Sequence, residues 1–202
     1  YAQFSKRPEF TYDEDGFYVS QNAFIIPSDD MYIVAILNSN VIAFYSHSIC
    51  PFIKGEFYQY SPQFVNQFPI PNVIDSIRSK LVNLVNEIMK LEKNLLNIQN
   101  TFLNRLLDEF DLIKLPIQFY GFYKMEDKYF IKQIKKLTKS KIELTRLDEW
   151  EIYFKNHKQN YCNILFEGKK KDEEVNQLIY KLFKITDKEK EVIENNIPKS
   201  YI

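Results

Sequence analysis

The sequence predicts an α+β chain in three segments. These are a small mixed α/β domain over residues 1–72, a long heptad-patterned helix over 73–110 and an antiparallel helical domain over 111–202. Three observations carry this. The stretch from Leu37 to Asn72 is apolar, rich in aromatics, holds one basic residue, Lys54, and closes on Phe68-Pro69-Ile70-Pro71. Directly after it the apolar spacing changes to alternating steps of three and four. Beyond Pro116 the pattern stays helical with short connections, so neighbouring helices are expected antiparallel.

Taken in order, Thr11–Val19 reads as a hairpin turning at Asp15-Gly16, and Gln21–Ile26 as a further strand. Ser28 is placed to cap a helix carrying Ile33, Val34, Ile36 and Leu37. Asn38-Ser39-Asn40 breaks that helix, and Val41–Tyr45 begins another. Residues 50–60 return to extended structure around a Lys54-Gly55 turn, and Pro62, Pro69 and Pro71 stop regular elements. Ile74, Ile77, Leu81, Leu84, Ile88, Leu91, Leu95, Ile98 and Phe102 then form an a/d seam. Such a helix is roughly 50 Å long. Its seam is satisfied equally by a partner helix in cis or by a homodimer through residues 74–106.

In the last segment Gly121 interrupts an aromatic cluster of Phe119, Tyr120, Phe122 and Tyr123. Tyr129–Leu137 is expected helical, with lysines at 128, 132, 135, 136, 139 and 141. Thr145-Arg146-Leu147-Asp148 resembles a capping box for a helix through Trp150, Tyr153 and Phe154. Glu167-Gly168 and three lysines mark a loop, Asp172–Phe183 another helix, and Thr186 with Glu189 the cap of a last short one.

Composition narrows the classes. With 202 residues, 45% of them hydrophobic, the chain can bury a substantial core. Lys+Arg and Asp+Glu are equal at 27 each, unlike a module devoted to gripping phosphates. The charge is uneven: residues 1–72 hold three basic side chains (Lys6, Arg7, Lys54) against seven acidic ones, a net charge of −4, and the remainder is +4. Cys50 and Cys162 are far apart without metal spacing and are read as reduced, buried thiols of a cytoplasmic protein. No apolar run approaches the ~20 residues that span a bilayer, and a start at Tyr1 suggests a piece of a longer chain.

Catalytic signatures are missing. Four glycines, at 16, 55, 121 and 168, write no phosphate loop, and no Gly-x-Ser-x-Gly elbow is present. His47 and His157 lack metal-ligand neighbours; Glu126-Asp127-Lys128 has a nuclease-like spacing but a turn-like context. The expectation is a non-catalytic fragment with no cofactor of its own.

Five features in order, Phe10-Thr11-Tyr12-Asp13, Phe24-Ile25-Ile26-Pro27, Leu37-Asn38-Ser39, Lys54-Gly55-Glu56-Phe57 and Phe68-Pro69-Ile70-Pro71, resemble the TaqI-like C-terminal specificity domain. This is the target-recognition domain of adenine-specific DNA methyltransferases. The rest is similar to the helical tail of type IIG restriction–modification enzymes: a lysine-rich segment, the acidic-Trp helix Asp148–Phe154, and the closing pattern Val175–Glu189. The resemblance implies sequence-specific recognition of double-stranded DNA. It also implies a parent chain with upstream adenine-N6 methyltransferase and endonuclease domains, using S-adenosylmethionine and a divalent metal. No catalytic residue carries over, because no position here matches.

Base reading needs hydrogen-bonding side chains and phosphate gripping needs cations. The candidate DNA contacts are Lys6, Arg7, Lys54, Tyr58, Gln59, Tyr60 and Gln63. Arg7 suits a guanine edge or a phosphate, Lys54 sits on a glycine turn, and a glutamine suits an adenine pair. The lysines from 128 to 141 are either a solvated helix face or a rest for a neighbouring phosphate backbone. The −4 head is expected to borrow affinity from the methyltransferase domain, which holds the duplex while the adenine flips. The competing reading is a protein–protein assembly module that dimerises through a coiled coil.

Overall fold

A computed structural model describes residues 1–137 and 142–198; the expected lysines 139 and 141 lie outside the described residues. The elements run β1 (Phe4–Ser5), α1 (Met31–Leu37), α2 (Asn40–Ile49), β2 (Phe52–Ile53), β3 (Phe57–Gln59), α3 (Pro62–Val65), α4 (Asp75–Glu109), α5 (Asp127–Leu137), α6 (Leu144–Leu182) and α7 (Asp187–Asn196). A 3-10 helix over Ile117–Lys124 lies between α4 and α5. The fold is α+β, as expected.

Two compact units divide the chain, Tyr1–Ile88 with Lys170–Ile202, and Met89–Lys169. Their limits cut across the three segments read from the sequence, since α4 and α6 each contribute to both units. The final helical residues pack with the head in the first unit.

In the first unit the strands form one antiparallel sheet, order β1-β3-β2. The extended stretch around Lys54-Gly55 is the β2–β3 hairpin, Ile53 opposite Phe57. The predicted hairpin over Thr11–Val19 is absent. Instead the Asp13 carboxylate accepts N–H groups from Asp15 (3.0 Å), Gly16 (3.1 Å) and Phe17 (2.6 Å). This side chain holds the turn, with Gly16 at φ +76°, while the exposed flanks have no sheet face to bury. Gln21–Ile26 forms only a single bridge, Ala23 to Ala2.

Helix α1 starts later than Ser28 suggests: Asp30 is the cap, accepting the Tyr32 N–H, while Ser28 Oγ accepts the N–H of Asp30. Asp30 serves twice, since it also pairs with Arg78 of α4, whose guanidinium lies 4.9 Å from the Tyr32 ring centroid. The break at 38–40 is real, with Ser39 capping α2. The Tyr32 hydroxyl donates to Pro71 O at 2.6 Å and so pins the Pro-Ile-Pro exit. Ile36, Ile42, Leu81 and Ile179 are fully buried in this unit's core, and α7 packs on α2.

The heptad helix forms as one piece, Asp75–Glu109. Four of its nine seam residues are buried within the chain, Leu81 and Leu84 in the first unit and Leu95 and Phe102 in the second, while Ile77, Ile88, Leu91 and Ile98 are half-buried and Ile74 is exposed. That second core is aromatic. Phe102 stacks on Phe122 (centroids 4.3 Å apart), and Phe130 on Phe154 (4.1 Å). Gly121 kinks the 3-10 helix at φ −104°, ψ 32°, and both flanking phenylalanines, Phe119 and Phe122, are fully buried.

Two expectations in the tail fail. Leu144 opens α6, which puts Thr145 inside the first turn rather than at a cap. No loop forms at Glu167-Gly168; α6 runs unbroken through it for 39 residues with Gly168 buried. A helical glycine costs about 1 kcal/mol, which a helix of this length absorbs without ending. The Thr186–Glu189 capping box at α7 is present with both halves made.

Candidate nucleic-acid interface

The hairpin β2–β3 carries polar side chains at an exposed tip. Its tip is Lys54-Gly55-Glu56, where Gly55 has φ +84° and Glu56 φ +66°. Glycine meets that conformation without strain, and the chain turns back within three residues. Lys54 is exposed at the tip. Lys6, following β1, pairs with Glu56 at 2.7 Å, which ties the tip to the first strand and holds the Glu56 carboxyl below its ordinary pKa. As a surface ion pair it orients more than it stabilises.

Strand register sorts the remaining candidates by face. Phe4 opposes Gln59, and Ser5 and Phe52 both oppose Tyr58. Opposed residues share a face and neighbours alternate, so Phe4, Ile53, Phe57 and Gln59 form one side of the sheet and Ser5, Phe52 and Tyr58 the other. Both sides carry exposed rings, Phe4 and Phe57 on the first and Phe52 on the second. Gln59 lies on the first, its amide donating to Ser61 Oγ at 3.0 Å.

On the other side Tyr58 stacks flat on His47, centroids 4.1 Å apart and planes 6° from parallel. That ring contact makes Tyr58 a support for the hairpin. His47 closes the last turn of α2; burial lowers its pKa, the backbone of Lys6 and Asn196 opposing. Gln63, in the short α3, is exposed.

Arg7 and Tyr60 are placed elsewhere. Arg7 is 4% exposed, and its guanidinium donates to Asn38 O (2.8 Å) and Pro198 O (3.3 Å), with Asn40 Oδ1 at 3.5 Å. Burial lowers its pKa against the pull of Asp172. Tyr60 is 1% exposed, its hydroxyl 3.4 Å from Ser46 Oγ, and burial raises its pKa strongly. Both are interior groups with no edge to offer a base.

What the sequence did not disclose is the polar network around Arg7. Asn38 clasps Phe10 through both amide atoms, at 2.8 and 2.7 Å. Asn176 Oδ1 accepts the Asn40 N–H at 2.8 Å, and Asn40 Nδ2 donates to the Tyr180 hydroxyl at 3.2 Å, which donates on to Glu194. Burial raises the pKa of Asp172, with Arg7 acting in the opposite sense. The asparagines at 38 and 40 were legible only as a helix break; Asn38's partners, Phe10 and Arg7, lie 28 and 31 positions back, and Asn40's, Asn176 and Tyr180, 136 and 140 positions on. This network welds α6 and α7 to the hairpin-bearing unit.

Cys50 is buried, which pushes its thiol up to about 11, while Cys162 is half-buried. Among the described residues no group of three or more His, Cys, Asp or Glu side chains could hold a metal ion, and no helix is long and apolar enough to cross a membrane.

Residues 1–70 match the TaqI-like C-terminal specificity domain. Residues 74–179 match a domain of unknown function, DUF8810. No curated protein and no solved structure matches the chain. The first match points to DNA sequence specificity in restriction–modification systems, a non-catalytic role.

Proposed function

We propose, on the premise that the chain belongs to the DUF8810 family and carries a TaqI-like specificity domain over residues 1–70, that it is the target-recognition portion of an adenine-N6 DNA methyltransferase fused to an endonuclease. The head selects the site on double-stranded DNA. Catalysis, with S-adenosylmethionine and a divalent metal, belongs to other domains of the parent chain.

One observation supports this reading above the rest: the matched segment contains a hairpin, backed by Tyr58 stacked on His47, that carries Lys54 exposed at its tip and a half-buried Gln59 on the face opposite Tyr58. Lys54 would take a phosphate or guanine edge, Gln59 and Gln63 an adenine edge, and Lys6 would hold the tip through Glu56. Each good base contact discriminates by about 1–3 kcal/mol.

The test is the intact enzyme carrying Lys54→Ala, Gln59→Ala and Gln63→Ala, with modified sites mapped by sequencing. The expected result is relaxed or altered site choice with the protein still folded. Modification of the same site with undiminished fidelity would overturn the proposal.

A further inference from the structure

The specificity head is an unusual DNA reader because it is acidic. The imbalance follows the compact units: the first carries 12 basic and 16 acidic residues, the second 15 basic and 11 acidic. Between Leu112 and Ile142 the contrast is sharper, eight lysines against Glu126 and Asp127 alone.

Helix α5 displays this charge. Phe130, Gln133 and Ile134 are its buried residues and face the aromatic core. Lys128, Lys132 and Lys136 recur every four residues and are exposed. At 100° per residue they fall, with Lys135, within an arc of about 100° opposite the buried face. Successive lysines of the i, i+4 row are about 6 Å apart along the axis.

The neighbouring Asp127 is engaged by lysines of another helix. Asp127, in the first turn of α5, lies 3.7 Å from both Lys155 and Lys158 of α6. Among the described residues Lys128, Lys132 and Lys136 have no carboxylate partner. Three like charges on one face repel each other and weaken an isolated helix, so the arrangement costs stability and relieves nothing inside the fold.

We infer that the outer face of α5 is a docking surface for the phosphate backbone of duplex DNA, a sequence-independent grip that the acidic head does not supply. Charge complementarity selects the occupant: a row of cations at regular spacing matches a polyanion with about one charge per 1.7 Å of axis. This rests on the DNA-recognition reading above and gives it a division of labour, the head discriminating and α5 holding.

The experiment measures binding of the full chain to a random-sequence 30-mer duplex by fluorescence anisotropy across a salt series. It compares the unaltered protein with Lys128→Gln/Lys132→Gln/Lys136→Gln. These side chains are exposed, and circular dichroism verifies that both proteins fold. Losing three phosphate contacts lowers the slope of log K against log salt by about 2.7, from a coefficient near 0.9 per phosphate. Affinity at 50 mM salt falls at least tenfold.

An unchanged slope, or no duplex binding by the unaltered chain at low salt, overturns the inference. So does weakened binding to anionic phospholipid vesicles while duplex binding is intact. The triple lysine variant leaves relative site preference unchanged, whereas the hairpin variants alter preference and leave most of the slope, so failure of one claim is distinguishable from failure of the other.

Discussion

Arg7→Met separates a structural arginine from a DNA-reading one. Methionine retains much of the apolar stem and removes the guanidinium, so the loss is chiefly polar. Asn38 O and Pro198 O each lose a charge-assisted donor, the first at 2.8 Å. Such bonds contribute about 1.5–3 kcal/mol each, and Asp172 loses the cation that opposes its buried carboxyl's upward shift. Removing one member of a buried charge set costs about 3–5 kcal/mol.

The 3.3 Å bond and the imperfect third contact argue for the low end, about 3 kcal/mol. With a urea dependence of about 3 kcal/mol per molar for a chain of this size, the unfolding midpoint of the first unit falls by about 1 M. The assay is equilibrium urea unfolding followed by far-ultraviolet circular dichroism and by Tyr/Phe-weighted near-ultraviolet signal. Asp172→Asn added to the variant recovers part of the loss by discharging the orphaned carboxyl. An unchanged midpoint combined with weakened site-specific DNA binding would refute the reasoning and return Arg7 to the interface.

Two further outcomes follow from the same physics. Phe102→Ala, at a fully buried ring stacked on Phe122 and packed near Phe130, Tyr153 and Phe154, destabilises the second unit by about 3–5 kcal/mol; thermal unfolding then resolves into two steps instead of one. Thr186 holds the Glu189 carboxyl below its ordinary 4.5. That contribution to α7 is present above pH 4.5 and lost as pH falls through the lowered folded value. The protection factors of the α7 amides, with exchange normalised to the intrinsic rate at each pH, therefore fall as the pH drops below 4.5 in the unaltered chain, and this acid-dependent fall is absent in Thr186→Ala.

Local chemistry was legible wherever the deciding residues were neighbours. The Thr186–Glu189 box, the Asn38-Ser39-Asn40 break, the Lys54-Gly55 turn and the three-four spacing of α4 all act within a few residues, and all formed. Ser28 misled because Asp30, two positions on, offers a carboxylate that caps α1 and also meets Arg78. Thr11–Val19 misled because a hairpin needs a face to bury, and Asp13 satisfied the turn without one. Gly168 misled because one helical glycine costs only about 1 kcal/mol and does not end a helix of 39 residues.

The candidate site divides the same way. Residue type marked Lys54 and Gln59 as potential base readers, and the fold leaves them exposed or partly so. Residue type marked Arg7 and Tyr60 equally well, yet both are interior.

From sequence alone came the α+β class, the resemblance of the head to a specificity domain, the span of the long helix and the sign of charge along the chain. Only the tertiary structure decided that residues 170–198 pack with the head, that Leu81, Leu84, Leu95 and Phe102 of the heptad seam are buried within the chain, and that Arg7 is interior. The reason is range: caps, turns and periodicity are set by groups a few bonds apart, whereas burial of a polar side chain depends on partners such as Pro198 and Asp172, which reach it only after the chain has closed on itself.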